Sequence, residues 1–325
     1  MRDQGSTEFP EVKPKPGHSR IWLTLVFTYF ALILVAFGLK FDSLAGITAL
    51  PAIAWLVLGL FLSFLNGYRT IKRSALIVLS CFLAVGLVTA EEFYIPLRWL
   101  LHGREGHSIA YISLNCAGGD ERAAREAVSR GAEVVFLQES PGKNELDKLA
   151  KEFGYFVVWG PDGSILTKMA TKFDEIISEQ DFVAIRQDHR VYASLRLMPP
   201  QFRLDYYSPE LWKSQTENLS SRRDQLRTIL KQIEDMRSRT GDSGEIVIAG
   251  DFNAVPGQIS GREFGYHDLG ATHGVNWGGS AVNEYPLARI DRVWLRDKNS
   301  IGGFHGRVVT LPTKFSDHRM VIVYK

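Results

Sequence analysis

Hydrophobic and polar positions divide the chain into two unlike parts. Ile21 to Leu39 is an uninterrupted uncharged run, long enough to cross a hydrocarbon core of roughly 30 Å. Leu44 to Leu65 is a second such run, interrupted by Gly46 and Pro51, which membrane helices tolerate. Ser74 to Ala90 is a third, close to the short limit for spanning. Phe93, Tyr94 and Trp99 follow as candidate interfacial aromatics. Three runs in succession argue against a cleaved signal peptide. Residues 1–20, with Pro10, Pro14, Pro16 and Gly17 among charges, predict a disordered tail, and residues 96–107 predict a linker. The expected organisation is therefore tail 1–20, three-helix membrane anchor 21–95, linker 96–107 and a second domain 108–325.

Lysine and arginine placement predicts orientation. The tail carries Arg2, Lys13, Lys15 and Arg20, and the second loop carries Arg69, Lys72 and Arg73, whereas the first loop offers only Lys40. Tail and second loop belong in the cytoplasm on this rule, so three crossings place the domain outside it. The expectation is a multi-pass protein with a bilayer as partner and no obligate protein partner.

Beyond residue 107 the apolar runs become short, and most end on polar residues. Strands are predicted at Ile109–Leu114, Glu133–Gln138, Tyr155–Trp159, from Gly163, at Phe182–Arg186 and Val191–Leu197 as a hairpin, at Ile246–Ala249, at Arg289–Leu295 and at Met320–Tyr324. Helices are predicted from an Asp120 cap through Arg130, over Lys143–Phe153, and over Glu210–Arg237 with a break near Asn218–Ser221. Strands outnumber helices and include antiparallel pairs, which favours a layered α+β sandwich over a doubly wound parallel sheet.

Composition changes this picture little. A formal charge of +2 is too small to imply a polyanion partner. Two cysteines, Cys81 and Cys116, build no disulfide framework, and no histidine cluster has zinc spacing.

The placement of polar residues carries the chemistry. Asn115, Glu139, Asp251 and Asn253 each follow an apolar strand, Asp291 sits within one, and Asp317 and His318 precede the last. Such a set can hold Mg²⁺ through one or two hard oxygens and leave waters for a phosphate substrate. It can also orient a water for attack while an imidazole contacts the phosphate.

In order along the chain, Asn115, Leu137-Gln138-Glu139, Gly250-Asp251-Phe252-Asn253, Arg289-Ile290-Asp291 and Ser316-Asp317-His318 resemble the endonuclease/exonuclease/phosphatase superfamily, which includes DNase I-like nucleases, sphingomyelinases and inositol-polyphosphate phosphatases. The resemblance covers about residues 107–325. It implies a four-layer sandwich of two β-sheets flanked by helices, with the site at one end, and Mg²⁺ (or Mn²⁺) as cofactor. Glu139 would be the main metal ligand, with Asn115 beside it and Asp317 near the metal side. Asp251 would orient or deprotonate the water, Asn253 would bind phosphate or water, and His318, polarised by Asp291, would contact the scissile phosphate. The substrate class is a phosphate ester, in nucleic acid or in a lipid or inositol headgroup.

One departure stands out. Where many members carry a second histidine or a tyrosine, this chain reads Tyr192-Ala-Ser-Leu-Arg196, and Arg196 takes the position. A guanidinium stabilises phosphate charge but cannot act as a general acid. Tyr206, Tyr207 and His189 are nearby in sequence only. The departure motivates a second reading, a membrane-bound binding module that keeps the fold without efficient catalysis. Between Gln201 and Asp224, aromatic and basic residues mix, as either a substrate rim or an amphipathic helix with cations along its flank.

Overall fold

Alternate residues of one central strand face different cores, which fixes the layering. Ile246 and Ile248 pack with a long helix on one side, while Val247 and Ala249 pack into the space between two sheets. A strand covered on both faces reads as a continuous apolar run. Residues 16–67, 72–103, 108–168, 172–201, 205, 207–239, 244–296 and 304–325 are described by a computed structural model. Arg2, Lys13, Lys15, Arg69, Gly106, Arg203 and Tyr206 lie outside the described residues.

The N-terminal part contains α1 (Pro16–Leu39), α2 (Ala45–Thr48), α3 (Ala52–Gly67), α4 (Lys72–Thr89) and α5 (Ile95–His102). Among the described residues, one helix, over Ile21–Leu39, is long and apolar enough to cross a membrane. Two further stretches pass only as bent pairs, Asp42–Thr48 with Ala52–Ser63 at 65° and Leu76–Thr89 with Glu91–His102 at 90°. Pro51 has no amide hydrogen to donate, and the first break falls there. Phe30, Ile33, Ala36, Leu56, Val78 and Val85 form the bundle's own core. Residues 16–20 begin α1 instead of belonging to a tail, and most of the expected linker is α5, opened by Pro96 in its first turn.

The rest follows as β1 (Ile109–Asn115), α6 (Glu121–Val128), β2 (Val134–Gln138), α7 (Lys143–Phe153), β3 (Phe156–Trp159), β4 (Gly163–Thr167), β5 (Glu175–Ser178), β6 (Phe182–Gln187), β7 (Arg190–Arg196), α8 (Pro209–Ser238), β8 (Glu245–Asp251), β9 (His267–Asp268), α9 (Leu269–His273), β10 (Asp291–Arg296), β11 (Arg307–Leu311) and β12 (Met320–Tyr324). Two six-stranded mixed sheets result, ordered β11-β12-β1-β2-β4-β3 and β5-β6-β7-β8-β10-β9. Only the central pairs β1/β2 and β7/β8 are parallel. Tyr111, Phe136, Tyr192, Val247 and Val293 fill the space between the sheets. Helices α6 and α7 cover Ile112, Leu114 and Val135 on one outer face, and α8 covers Ala193, Leu195 and Ile248 on the other. This is the α+β four-layer arrangement expected. Truncating Ile248 to alanine in this packed layer costs about 2–5 kcal/mol.

Helix α8 is continuous, contrary to the expected break near Asn218. Ser208 caps it by accepting from the Glu210 amide at 3.2 Å, and Leu219, Leu226, Ile229 and Ile233 hold one buried face through the polar stretch. Packing overrides the weak local propensity of Asn and Ser there. The same helix supports the reading of 209–224 as an amphipathic element, with Leu211 and Leu219 buried.

The N-terminal helices and the sandwich share packing. Ala45 belongs to the core beneath α8, and a Cβ added at Gly46 would stand 2.8 Å from the Trp212 ring. Arg223 pairs with Asp42 at 3.1 Å, and Lys40 with Glu263 at 3.2 Å. Arg289 clamps Glu91 through two bonds of 2.5 and 2.7 Å and reaches Asp268 at 2.8 Å. Arg98 donates to the carbonyls of Glu91 and Ala271. A cavity of about 450 Å³, lined by Phe37, Pro51, Thr89, Val255 and Arg262 among others, lies along this joint.

Candidate active site

Sheet register brings the strand-end residues together. Asn115 aligns with Gln138 across the parallel β1/β2 pair, so Glu139 leaves β2 beside Asn115. Arg196 aligns with Asp251 across β7/β8, and Asp291 aligns with Asp251 across β8/β10. The close approach of β7 to β8 requires Gly250, where a Cβ would stand 1.9 Å from the Leu195 carbonyl oxygen. Glu139 and Asn253 adopt left-handed backbone, with φ of 44° and 48°. For a non-glycine residue that conformation costs of order 1 kcal/mol, and such strain concentrates at functional sites.

Asn115 Nδ2 donates to Glu139 Oε1 at 3.0 Å and to Asp251 Oδ2 at 3.2 Å. Gly118 N donates to Glu139 Oε2 at 2.7 Å, and Arg196 Nη2 lies 2.8 Å from Glu139 Oε1. Arg196 also reaches Asp162 at 3.5 Å. Asp251 Oδ1 accepts from the Asn253 amide at 2.8 Å. His318 Nδ1 and Asp291 Oδ2 are 2.8 Å apart. Ser316 Oγ donates to the Asn115 carbonyl at 2.7 Å and accepts from the His318 amide at 2.9 Å, so it ties the last strand's approach to the end of β1.

Charge crowding perturbs these groups. Burial and the neighbouring Asp291 push the Asp251 carboxyl up to about 6, against the pull of His318. Burial alone would lower the His318 pKa, but Asp291, Asp251 and Asp317 raise it to about 10. His318 is therefore an imidazolium at neutral pH, with both ring nitrogens donors. Burial works against ionised Glu139, yet the Asn115 hydrogen bond, Arg196 and the Gly118 amide together hold it below its ordinary value.

Asn115, Glu139, Arg196, Asp251, Asp291 and His318 thus meet at one pole. Asn253 is there through its backbone, while its side-chain amide donates to the Leu197 carbonyl at 2.7 Å. The Asp317 carboxylate is exposed, and its charge bears on His318. Of the nearby aromatics, Tyr207 is exposed, and His189 lies in the β6–β7 turn, remote in register from Arg196.

Three contributors escape sequence reading. Ser280 Oγ accepts the amides of Ile290 at 3.1 Å and Asp291 at 2.9 Å, which fixes the carboxylate behind His318. Arg222, fully buried in α8, donates to the Asn253 carbonyl. Arg292, also buried, donates to the Ile259 and Ala254 carbonyls at 2.7 and 2.9 Å and stacks over Phe252 and Trp294. Burial lowers both arginines to about 10. An isolated serine in a loop and arginines within long patterned elements carry no sequence signal for these roles.

A hard divalent cation fits part of this donor set. Glu139 is an ionised, half-exposed carboxylate beside the amide of Asn115, the oxygen-rich environment that Mg²⁺ or Mn²⁺ takes. Among the described residues, Asp251, Asp291 and His318 also lie within 4.8 Å of one another. Asp291 already holds His318 Nδ1 in a hydrogen bond, so that trio suits a hydrogen-bonded charge system, and Glu139 is the better ligand.

Comparison with known proteins agrees. Residues 112–318 match the endonuclease/exonuclease/phosphatase family, whose enzymes use divalent metals. Among solved structures, TDP2 from C. elegans is 12% identical with a TM-score of 0.50, covering 100% of this chain and 98% of that one. A family protein from Bacteroides thetaiotaomicron is 11% identical with a TM-score of 0.49, covering 67% and 95%. D. rerio TDP2 complexed with single strand DNA product is 17% identical with a TM-score of 0.45, covering 66% and 97%. No curated protein matches the chain significantly. Both sheets, the strand-end site and the match over residues 112–318 agree: the chain belongs to the endonuclease/exonuclease/phosphatase family and is a phosphoric ester hydrolase of that superfamily.

Proposed function

We propose that the protein is a membrane-anchored, divalent-metal-dependent phosphodiesterase or phosphatase, in which an oriented water attacks phosphorus in line. The observation that carries the reading is the continuous set of contacts from Glu139 through Asn115 to Asp251 beside the His318–Asp291 pair. Glu139, with Asn115 beside it, would hold Mg²⁺ or Mn²⁺, and Asp317 borders that side. The bound ion would supply Lewis-acid polarisation of the phosphoryl oxygens. Asp251, with its raised pKa, orients the attacking water and takes its proton. The His318 imidazolium, backed by Asp291, donates to a phosphoryl oxygen as charge develops. Asn253 takes part with its side-chain amide once that amide leaves the Leu197 carbonyl. Arg196 supplies fixed positive charge at the position of the absent histidine, and it can stabilise charge but cannot protonate a leaving group. A good leaving group follows from that limit.

Three crossings by the anchor, with the catalytic domain outside the cytoplasm, remain our reading of topology. In its support, the end of α1, the start of α2 and the turn after α4 all contact the sandwich, through Lys40, Ala45 and Glu91. One observation favours the second reading, a binding module with weak catalysis: the Arg196 guanidinium already neutralises Glu139.

The test is hydrolysis by the full-length protein in H₂¹⁸O with Mg²⁺ or Mn²⁺, over bis(p-nitrophenyl) phosphate, single-stranded DNA, RNA and phospholipid. The proposal expects one ¹⁸O in the phosphoryl product. Metal binding without turnover on any substrate would favour the binding module.

A further inference from the structure

The active site shares an edge with an exposed apolar surface that continues onto the anchor. Helix α5 turns by 90° from the axis of α4. Its Arg98 side is buried against the sandwich through Ala271, while Leu97, Leu100 and Leu101 on other faces are exposed, Leu100 by 74%. Leu83, Leu87 and Val88 of α4 are exposed just before the turn. A helix with one face taken by its own protein and the other apolar, set across the end of a hydrophobic helix, suits the plane of a membrane interface. Tyr94 and Trp99 sit on the same stretch, where amphipathic rings favour the headgroup level.

The loop between α9 and β10 extends that surface to the catalytic pole. Leu287 lines one small cavity together with Ile95, Arg98, Gly278 and Gly279, so the loop abuts α5. Val282, Tyr285 and Leu287 are exposed, Tyr285 by 78% and Leu287 by 65%. The other side of the loop is fastened to the site: Ser280 Oγ holds the Asp291 amide, Ala281 bridges to His318, and Asn283 N donates to the Asp317 carbonyl at 2.6 Å. Large apolar side chains grouped at a polar site are uncommon in a protein surrounded by water. Near-zero net charge and the lack of a basic stripe on this loop oppose a nucleic-acid backbone as the occupant.

We infer that α5 and the 282–287 loop lie in the headgroup layer of the bilayer holding the anchor, and that the substrate is a phosphate ester carried by a lipid of that bilayer. The inference rests on the hydrolase and anchor readings above. A lipid-borne phosphate then reaches His318 and Glu139 past Tyr285 and Leu287 without leaving the interface.

The test uses full-length protein in phosphatidylcholine/phosphatidylglycerol nanodiscs, in a Cys81→Ser background, since Cys116 is buried. Bimane is attached at Tyr285→Cys, at Leu100→Cys and, as a control on α7, at Lys148→Cys. Nitroxide placed near the top of the acyl chains should quench positions 285 and 100 at least twofold more than 148. Equal quenching at 285 and 148 overturns the docked face, whatever the activity. In a second arm, the Val282→Ser/Tyr285→Ser/Leu287→Ser variant should lose at least tenfold in turnover of vesicle phospholipid and stay within twofold on bis(p-nitrophenyl) phosphate. Equal losses on both, or faster cleavage of single-stranded DNA than of lipid by the parent protein, overturn the substrate assignment. Silence on every substrate with quenching intact sinks the hydrolase reading, and the lipid assignment with it, while the docked face stands.

Discussion

Two buried charged clusters lie in this protein, and they are balanced differently. At the joint between the N-terminal helices and the sandwich, Arg289 is fully engaged by Glu91 and Asp268, with Arg98 alongside. Burial works against both charges, yet mutual attraction lowers the Asp268 pKa and raises that of Arg289. At the strand-end pole, Asp251 and Asp291 share one imidazolium, the three lying within 4.8 Å of one another, with His318 bonded to Asp291. The joint is a neutralised cluster that holds two elements together. The pole crowds two carboxylates onto one imidazolium, and such perturbed charge clusters concentrate at functional sites.

The sharpest way to break this contrast is to remove one member of each cluster. Glu139→Ala and His318→Ala should each lower turnover by roughly 10²–10³-fold, measured as kcat/KM on a soluble diester, with circular dichroism unchanged. Arg289→Ala should do the reverse. It strands Glu91 and Asp268 and costs about 3–5 kcal/mol of stability, read by thermal unfolding of the full-length protein. Its residual folded fraction should retain turnover within a fewfold, and loss of activity without loss of stability would contradict the division of roles.

Arg196→Ala tests whether the guanidinium competes with the metal. Glu139 loses its cationic neighbour, so Mn²⁺ affinity measured by electron paramagnetic resonance should rise severalfold while kcat falls by roughly 10–10²-fold, within the range for a lost charge stabiliser. Smaller effects belong to pH. Asp251 must be ionised to accept a proton, and its pKa is raised, so activity should rise with pH through about 6 and the limb should vanish in Asp251→Asn. The folded pKa of His318 lies above its unfolded value. Its pairing with Asp291 therefore stabilises fully below about 6.5 and is lost as pH rises through about 10. Chemical denaturation at pH 7 and pH 10 checks the sign, and His318→Gln should flatten the difference.

The same contrast explains what sequence could reveal. Asn115, Glu139, Asp251, Asp291 and His318 were legible because each sits at or near the end of an apolar strand, and strands in register carry their ends to one pole. The two-sheet core was legible for the same reason, through runs such as Ile246–Ala249. Partners contributed by loops and helix interiors were not. Ser280 acts through a loop closed by hydrogen bonds, and Arg222 looks like any charged position on α8 until packing buries it. The Arg289–Glu91 pair joins residues far apart in sequence, so no local pattern announces it. Nor did local pattern reveal that Ala45 completes the core beneath α8. Truncation at residue 104 removes Glu91 and Ala45 along with α1–α5, and a lower melting temperature for the isolated domain is the expected outcome.

The most direct measurement is Mg²⁺-dependent cleavage of bis(p-nitrophenyl) phosphate by the full-length protein beside its Glu139→Ala and His318→Ala variants. A phosphoester hydrolase organised at this pole predicts turnover that saturates with Mg²⁺ and falls at least 100-fold in both variants. Turnover equal in all three proteins, or none in the folded parent, would contradict it.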